Sequence, residues 1–112
     1  MRQGKIWGHT TKIFHNATVS IHHLEIKRDG FCSEHRHEHK YNLFYVISGV
    51  LELTIWHGKA RDVTLVSAGQ TTEIPPGVWH KFKGTTPVEC IEVYRAFLIG
   101  EDIDRRTEGG LK

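Results

Sequence analysis

Six glycine-bearing turns cut this chain into short runs: "RDGF" at Gly30, "SGV" at Gly49, "HGKARD" at Gly58, "SAGQ" at Gly69, "PPG" at Gly77 and "KGTTP" at Gly84. The runs between them read as strands. "LELTIW" (Leu51 to Trp56) and "IEVYRAF" (Ile91 to Phe97) alternate apolar with polar residues, and "TVSIHHLEI" (Thr18 to Ile26) is rich in β-branched side chains. No segment before Gly100 keeps a helical period for three turns, and Pro75 and Pro76 would interrupt one. Helix is confined, at most, to "EDIDRR". Short strands at this spacing predict an all-β sandwich or barrel.

With 112 residues there is material for one core, so a single domain is expected, with a frayed "TEGGLK" end. Hydrophobic residues at 38% and charged residues at 25% place the chain in the globular class. A net charge of +2, without a basic run, argues against a nucleic-acid partner. No apolar stretch reaches the ~20 residues of a membrane helix, and the start "MRQGKIWGHTTK" lacks a signal-peptide core. A soluble, cytoplasmic protein is therefore expected. Cys32 and Cys90 form no CxxC pair and are read as two buried free thiols.

"CSEHRHEHKYN" sets His35, His37 and His39 at every second position. Residues two apart on a strand share a face, so His35 and His37 can converge while Arg36 and Glu38 turn away. A third imidazole comes from "GQTTEIPPGVWH", where Gly69, Pro75, Gly77 and His80 follow one another at fixed intervals. Proline and then glycine would make a rigid turn before His80. Three neutral imidazoles are good ligands for zinc, iron, nickel or copper.

These residues resemble the two motifs of the cupins. The first family motif, G(x)5HxH(x)3–4E(x)6G, runs here from Gly30 through His35, His37 and Asn42 to Gly49, one residue short before the first histidine. The second, G(x)5PxG(x)2H(x)3N, fits from Gly69 to His80, with Gly84 in place of the final Asn. The resemblance implies a double-stranded β-helix (jelly-roll) barrel with its core at about residues 18–98 and a tail at 99–112. It also implies one divalent transition metal on His35, His37, Asn42 and His80. Asn42 stands where the family has Glu, and a neutral amide disfavours hard cations such as manganese and magnesium.

"KIWG", "SEHRHEHKYNLFYVISG", "IPPGVWHKF" and "CIEVYRAFLIGEDIDR" look like the cupin domain of type II mannose-6-phosphate isomerases. That family carries Gln where this chain has His35, Glu at Asn42 and Arg at Lys40. The likeness implies a sugar or sugar-phosphate substrate, a homodimer, and phosphate contacts from Lys40, Lys81 and Arg105. Phe44 and Val46 share the parity of Asn42 and should line the pocket, with Leu43 and Tyr45 outside. His39 is read as a rim residue. Of His22 and His23 only one can face inward. Trp56 and Trp79 are read as packing residues, and Glu34, Glu38, Lys40 and Lys81 as a solvated rim. No carboxylate is assigned to the interior, so the sequence names no general base. Alternatives to isomerisation are oxygen activation on a three-His iron site and binding of a sugar without turnover.

Overall fold

The structure is a computed structural model in which residues 2–95 and 103–111 are described. The alternating runs become antiparallel strands: β1 (Arg2–Lys5), β2 (Gly8–His15), β3 (Val19–Ile26), β4 (Gly30–Phe31), β5 (His35–Arg36), β6 (Tyr41–Ser48), β7 (Val50–His57), β8 (Ala60–Ser67), β9 (Thr71–Ile74), β10 (His80–Gly84), β11 (Val88–Arg95), β12 (Asp104–Arg105) and β13 (Gly110–Leu111). The described residues contain no helix. One sheet runs β1-β2-β3-β11-β6-β9; in the other, β10 lies between β7 and the short β4 and β5. β8 extends that second sheet beyond β7, while β12 and β13 pair with β5 and β4. Two facing antiparallel sheets of this kind form the all-β barrel that the turn spacing predicted.

Asp104–Arg105, inside the segment that the sequence left open to helix, is strand. Arg36 Nε donates to Asp104 Oδ2 at 3.1 Å and Arg106 N–H donates to the Glu34 carbonyl at 2.9 Å. Pairing with β5 therefore satisfies backbone groups that a two-turn helix would have left at its ends. Glu101 and Asp102, and Ala96 and Phe97 at the end of "IEVYRAF", lie outside the described residues.

The barrel interior divides along its strands. In β3, Ser20 and His22 lead to Leu24 and Ile26; in β6, Asn42 leads to Phe44 and Val46. β11 runs the other way, from Val88 and Cys90 to Glu92 and Tyr94. Antiparallel pairing stacks the polar ends together: Glu92 lies opposite His22, and Tyr94 opposite Asn42 and Ser20. One half of the interior is thus an apolar core, with Phe44 and Phe82 edge-to-face at 6.0 Å between ring centroids. The other half is a polar chamber. Gly49 joins β6 to β7 at φ 84°, where a Cβ would lie 2.1 Å from the Pro87 carbonyl oxygen. Only glycine combines that dihedral with that approach.

Candidate metal centre and its cavity

His35 and His80 face each other directly across the β5–β10 pair, and His37 follows His35 by one strand repeat. The turn before His80 is built as its sequence suggested. Gly77 takes φ 80°, and its N–H donates to the His37 carbonyl at 2.7 Å, tying one histidine segment to the other. The rings of His35 and His80 lie 4.4 Å apart between centroids, those of His35 and His37 5.0 Å, and those of His37 and His80 5.6 Å. One nitrogen from each falls within 4.8 Å of the others, and all three residues are buried.

Neighbouring carbonyls fix which nitrogen that is. His35 Nδ1 donates to the Ser33 carbonyl at 2.7 Å and His80 Nδ1 to the Val78 carbonyl at 2.9 Å. A carbonyl can only accept, so in both rings the proton sits on Nδ1 and the Nε2 lone pair is left over. His80 Nε2 and Asn42 Oδ1 are buried with no hydrogen-bond partner. Burial lowers the pKa of His35 to about 3, with help from His80 and His37, and that of His80 to about 4. Neutral, acceptor-only nitrogens of His35 and His80, with His37 converging on them and an orphaned amide oxygen beside them, have the chemistry that suits a divalent transition-metal ion. Without a cation, His80 Nε2 and Asn42 Oδ1 are acceptors buried at a cost.

The sequence named no interior carboxylate, and the structure corrects this with Glu92, which is 6% exposed. The polar members of the alternation in β11, Glu92 and Tyr94, face inward; Ile91 and Val93 face out. A barrel with a polar chamber inverts the usual sense of the pattern, and parity alone cannot say which set is inside. Burial raises the Glu92 carboxyl to about 7, against the lowering effect of a hydrogen bond from Tyr94 and of the nearby Lys40 ammonium. Asn42 Nδ2 donates to Glu92 Oε2 at 3.3 Å. The same amide thus holds the carboxylate and leaves its oxygen unpaired. Burial and Glu92 push the Tyr94 phenol well above its ordinary range.

A cavity of about 600 Å³ opens beside this centre, its lining including Lys5, His22, His35, Glu92, Tyr94 and Arg105. Arg105 Nε donates to Ser33 Oγ, 3.2 Å away, and that hydroxyl lies 3.1 Å from His35 Nδ1. Lys40 Nζ sits 5.0 Å from the Tyr94 ring centroid, whereas Lys81 Nζ sits over Phe31 at 5.4 Å. Phe44 lies in the core at 1% exposure, and Val46 beside it at 0%. His39 is exposed. His22 faces inward and His23 outward, where it meets Glu89 at 2.7 Å. Trp56 and Trp79 stack on Arg106, with ring centroids 5.4 and 4.1 Å from its guanidinium carbon. Cys32 and Cys90 are buried free thiols. Among the described residues no helix is long and apolar enough to cross a membrane.

The xanthan biosynthesis protein XanB of Xanthomonas campestris is 32% identical over 98 residues, covering 86% of this chain and 20% of that protein. The alginate biosynthesis protein AlgA of Pseudomonas fluorescens is 29% identical over 104 residues, covering 91% and 21%. This chain therefore spans about a fifth of the length of these relatives. Among solved structures, oxalate decarboxylase from Bacillus subtilis superposes with a TM-score of 0.83 at 16% identity, over 95% of this chain and 30% of that one. KdgF from Halomonas sp. gives 0.77 at 16% identity, over 86% and 87%. At such identities these two share a fold with this chain. The family model described as a cupin domain matches residues 22–94, and with the three-histidine cluster in place on that barrel, the chain belongs to the cupin family.

Proposed function

We propose that this protein is a metal-dependent isomerase of a sugar phosphate, with Glu92 as its proton-transferring base. The observation that carries the reading is a buried carboxylate lining the same cavity as His35 of the three-histidine cluster. Relatives named for xanthan and alginate biosynthesis, and a mannose-1-phosphate guanylyltransferase from Sinorhizobium fredii that is 26% identical over 98 residues, support a sugar-phosphate substrate.

Interconverting an aldose and a ketose moves a proton from one carbon to its neighbour beside a carbonyl. Glu92, held by Asn42 and Tyr94, takes that proton and returns it one carbon along. A carboxyl near 7 suits both halves of the task at neutral pH. Arg105 and Lys5 at the cavity, with Lys40 beside Tyr94, bind the anionic group. His35, His37, His80 and Asn42 would hold the divalent cation, which when bound supplies Lewis-acid stabilisation of the substrate oxygens. Exposed Phe14, Tyr45 and Ile47 on the first sheet support pairing of two copies into a homodimer.

The test is turnover of aldose and ketose phosphates by protein loaded in turn with zinc, ferrous iron, nickel and copper. Glu92→Gln should lower kcat by about 10²- to 10⁴-fold with metal content unchanged. Absence of interconversion by every loaded form, or full activity in Glu92→Gln, would sink the reading. The charge-neutral histidine set favours one competitor, oxygen activation on ferrous iron, and substrate-dependent oxygen uptake would select it.

A further inference from the structure

The isomerase chemistry leaves one transfer unassigned. Moving a carbon-bound proton is half of an aldose–ketose exchange; a second proton must pass from the hydroxyl oxygen to the former carbonyl oxygen. We propose that His22 is the catalytic residue that carries this oxygen-to-oxygen proton, with Ser20 as its positioning residue. The inference rests on the isomerase reading above.

Three placements support it. His22 stands directly opposite Glu92 across the β3–β11 pair, and both side chains line the cavity. Facing residues of an antiparallel pair have Cβ atoms about 5 Å apart, close to the reach needed to serve two adjacent substrate atoms. Ser20 Oγ and His22 Nε2 are hydrogen-bonded at 2.7 Å, so Nδ1 is the ring nitrogen left for the cavity. The ring also packs edge-to-face on Tyr94, with centroids 5.6 Å apart, which fixes its plane. Burial, then Lys12 and Lys40, hold its pKa below the ordinary value, so the imidazole starts neutral.

The step balances within the substrate. Glu92 takes the proton from the carbon that bears the hydroxyl, and the electron pair moves onto the carbonyl oxygen as an enediolate. His22 Nδ1 takes the proton from the hydroxyl oxygen and delivers it to the other oxygen. Glu92 then returns its proton to the former carbonyl carbon. Both side chains end as they began, and no oxidant or reductant enters.

The experiment is His22→Gln in metal-loaded protein in deuterium oxide, reading kcat, KM, metal content and deuterium incorporated at carbon in recovered substrate. The expected result is a kcat lower by about 100-fold or more, KM within about threefold, metal unchanged, and deuterium exchange that now outpaces isomerisation. Ser20→Ala keeps the imidazole but removes its hydrogen-bond partner, and should lower kcat by about tenfold with exchange again outpacing isomerisation, so the role stays testable if His22→Gln fails to fold. If an active wild type keeps its kcat in either folded variant, or if exchange falls with kcat in His22→Gln, the role of His22 is overturned and the isomerase reading stands. A wild type that neither isomerises nor exchanges removes both.

Discussion

Asn42 and Glu92 together reassign a charge. Where a cupin motif would place a carboxylate among the imidazoles, this chain has an amide, and the carboxylate stands on the neighbouring strand, hydrogen-bonded to that amide. In the function proposed above, the ligand set is neutral and the acid is left for proton transfer. His35→Ala and His80→Ala should each lower bound zinc or iron from near one per chain to a small fraction, measured by elemental mass spectrometry. Metal retained in both variants would remove these residues from the site. Asn42→Glu puts charge back among the ligands and should raise manganese affinity by about tenfold or more in calorimetry, since hard cations favour anionic oxygen. Equal manganese affinity in Asn42→Glu and wild type would show that position 42 does not reach the cation.

At the scale of strands, the inward residue at every second position is expected to be apolar from end to end, yet β3 and β6 pass from polar to apolar along the chain and β11 from apolar to polar. The switch occurs at matching register, which is why a chamber and a core can share one barrel. The apolar half carries the stability. Phe44→Ala should therefore cost about 3–5 kcal/mol in urea unfolding, as expected for an aromatic ring removed from a packed core. Gly49 is the most constrained turn position linking the two sheets, with its positive φ and the Pro87 carbonyl against it. Gly49→Ala should destabilise by more than about 1 kcal/mol, from strain in the left-handed region alone. An unfolding midpoint unmoved by the substitution would mean that the β6–β7 turn relaxes without cost.

For the whole molecule, His35, His80 and Glu92 contribute large, opposing parts of the acid response of the metal-free protein, and His22, also lowered, adds to the side of the two histidines. His35 and His80 are depressed to about 3 and about 4, so unfolding takes up a proton at each between those values and about 6.5, and stability falls as pH falls. Glu92 is raised to about 7, so the folded state holds a proton there that the unfolded chain releases above about 4.5, and its contribution falls as pH rises. Near pH 5.5 His35, His80 and Glu92 by themselves sum to about one proton taken up on unfolding, a contribution of about 1.4 kcal/mol per pH unit to the slope, and His22 adds to it in the same direction. Glu92→Gln removes the opposing member and should steepen the slope by about 1.2–1.4 kcal/mol per pH unit. Chemical denaturation of chelator-treated protein between pH 5 and 6 measures both; a shallower slope in the variant would contradict the burial of Glu92. Light scattering should give twice the mass of one chain if Phe14, Tyr45 and Ile47 are covered by a second copy.

The all-β class, the strands around 18–26, 51–56 and 91–95, the glycine turns and the convergence of three histidines were legible in the sequence, because these depend on short-range rules: a period of two, the backbone freedom of glycine, and side-chain parity. Gly77 ahead of His80 and the alternation of His35 with His37 could be read without coordinates. The tertiary structure alone decided which face of β11 is inside, since alternation gives two sets of residues and only the opposing sheet says which is covered. That choice brought Glu92 and Tyr94 into the chamber, and the corresponding choice in β3 brought His22. It also drew Ser33 and Arg105 behind His35, contacts between residues 72 positions apart that no local pattern encodes. Asp104–Arg105 became strand for the same reason: its partner, β5, lies far away in the chain and adjacent in space.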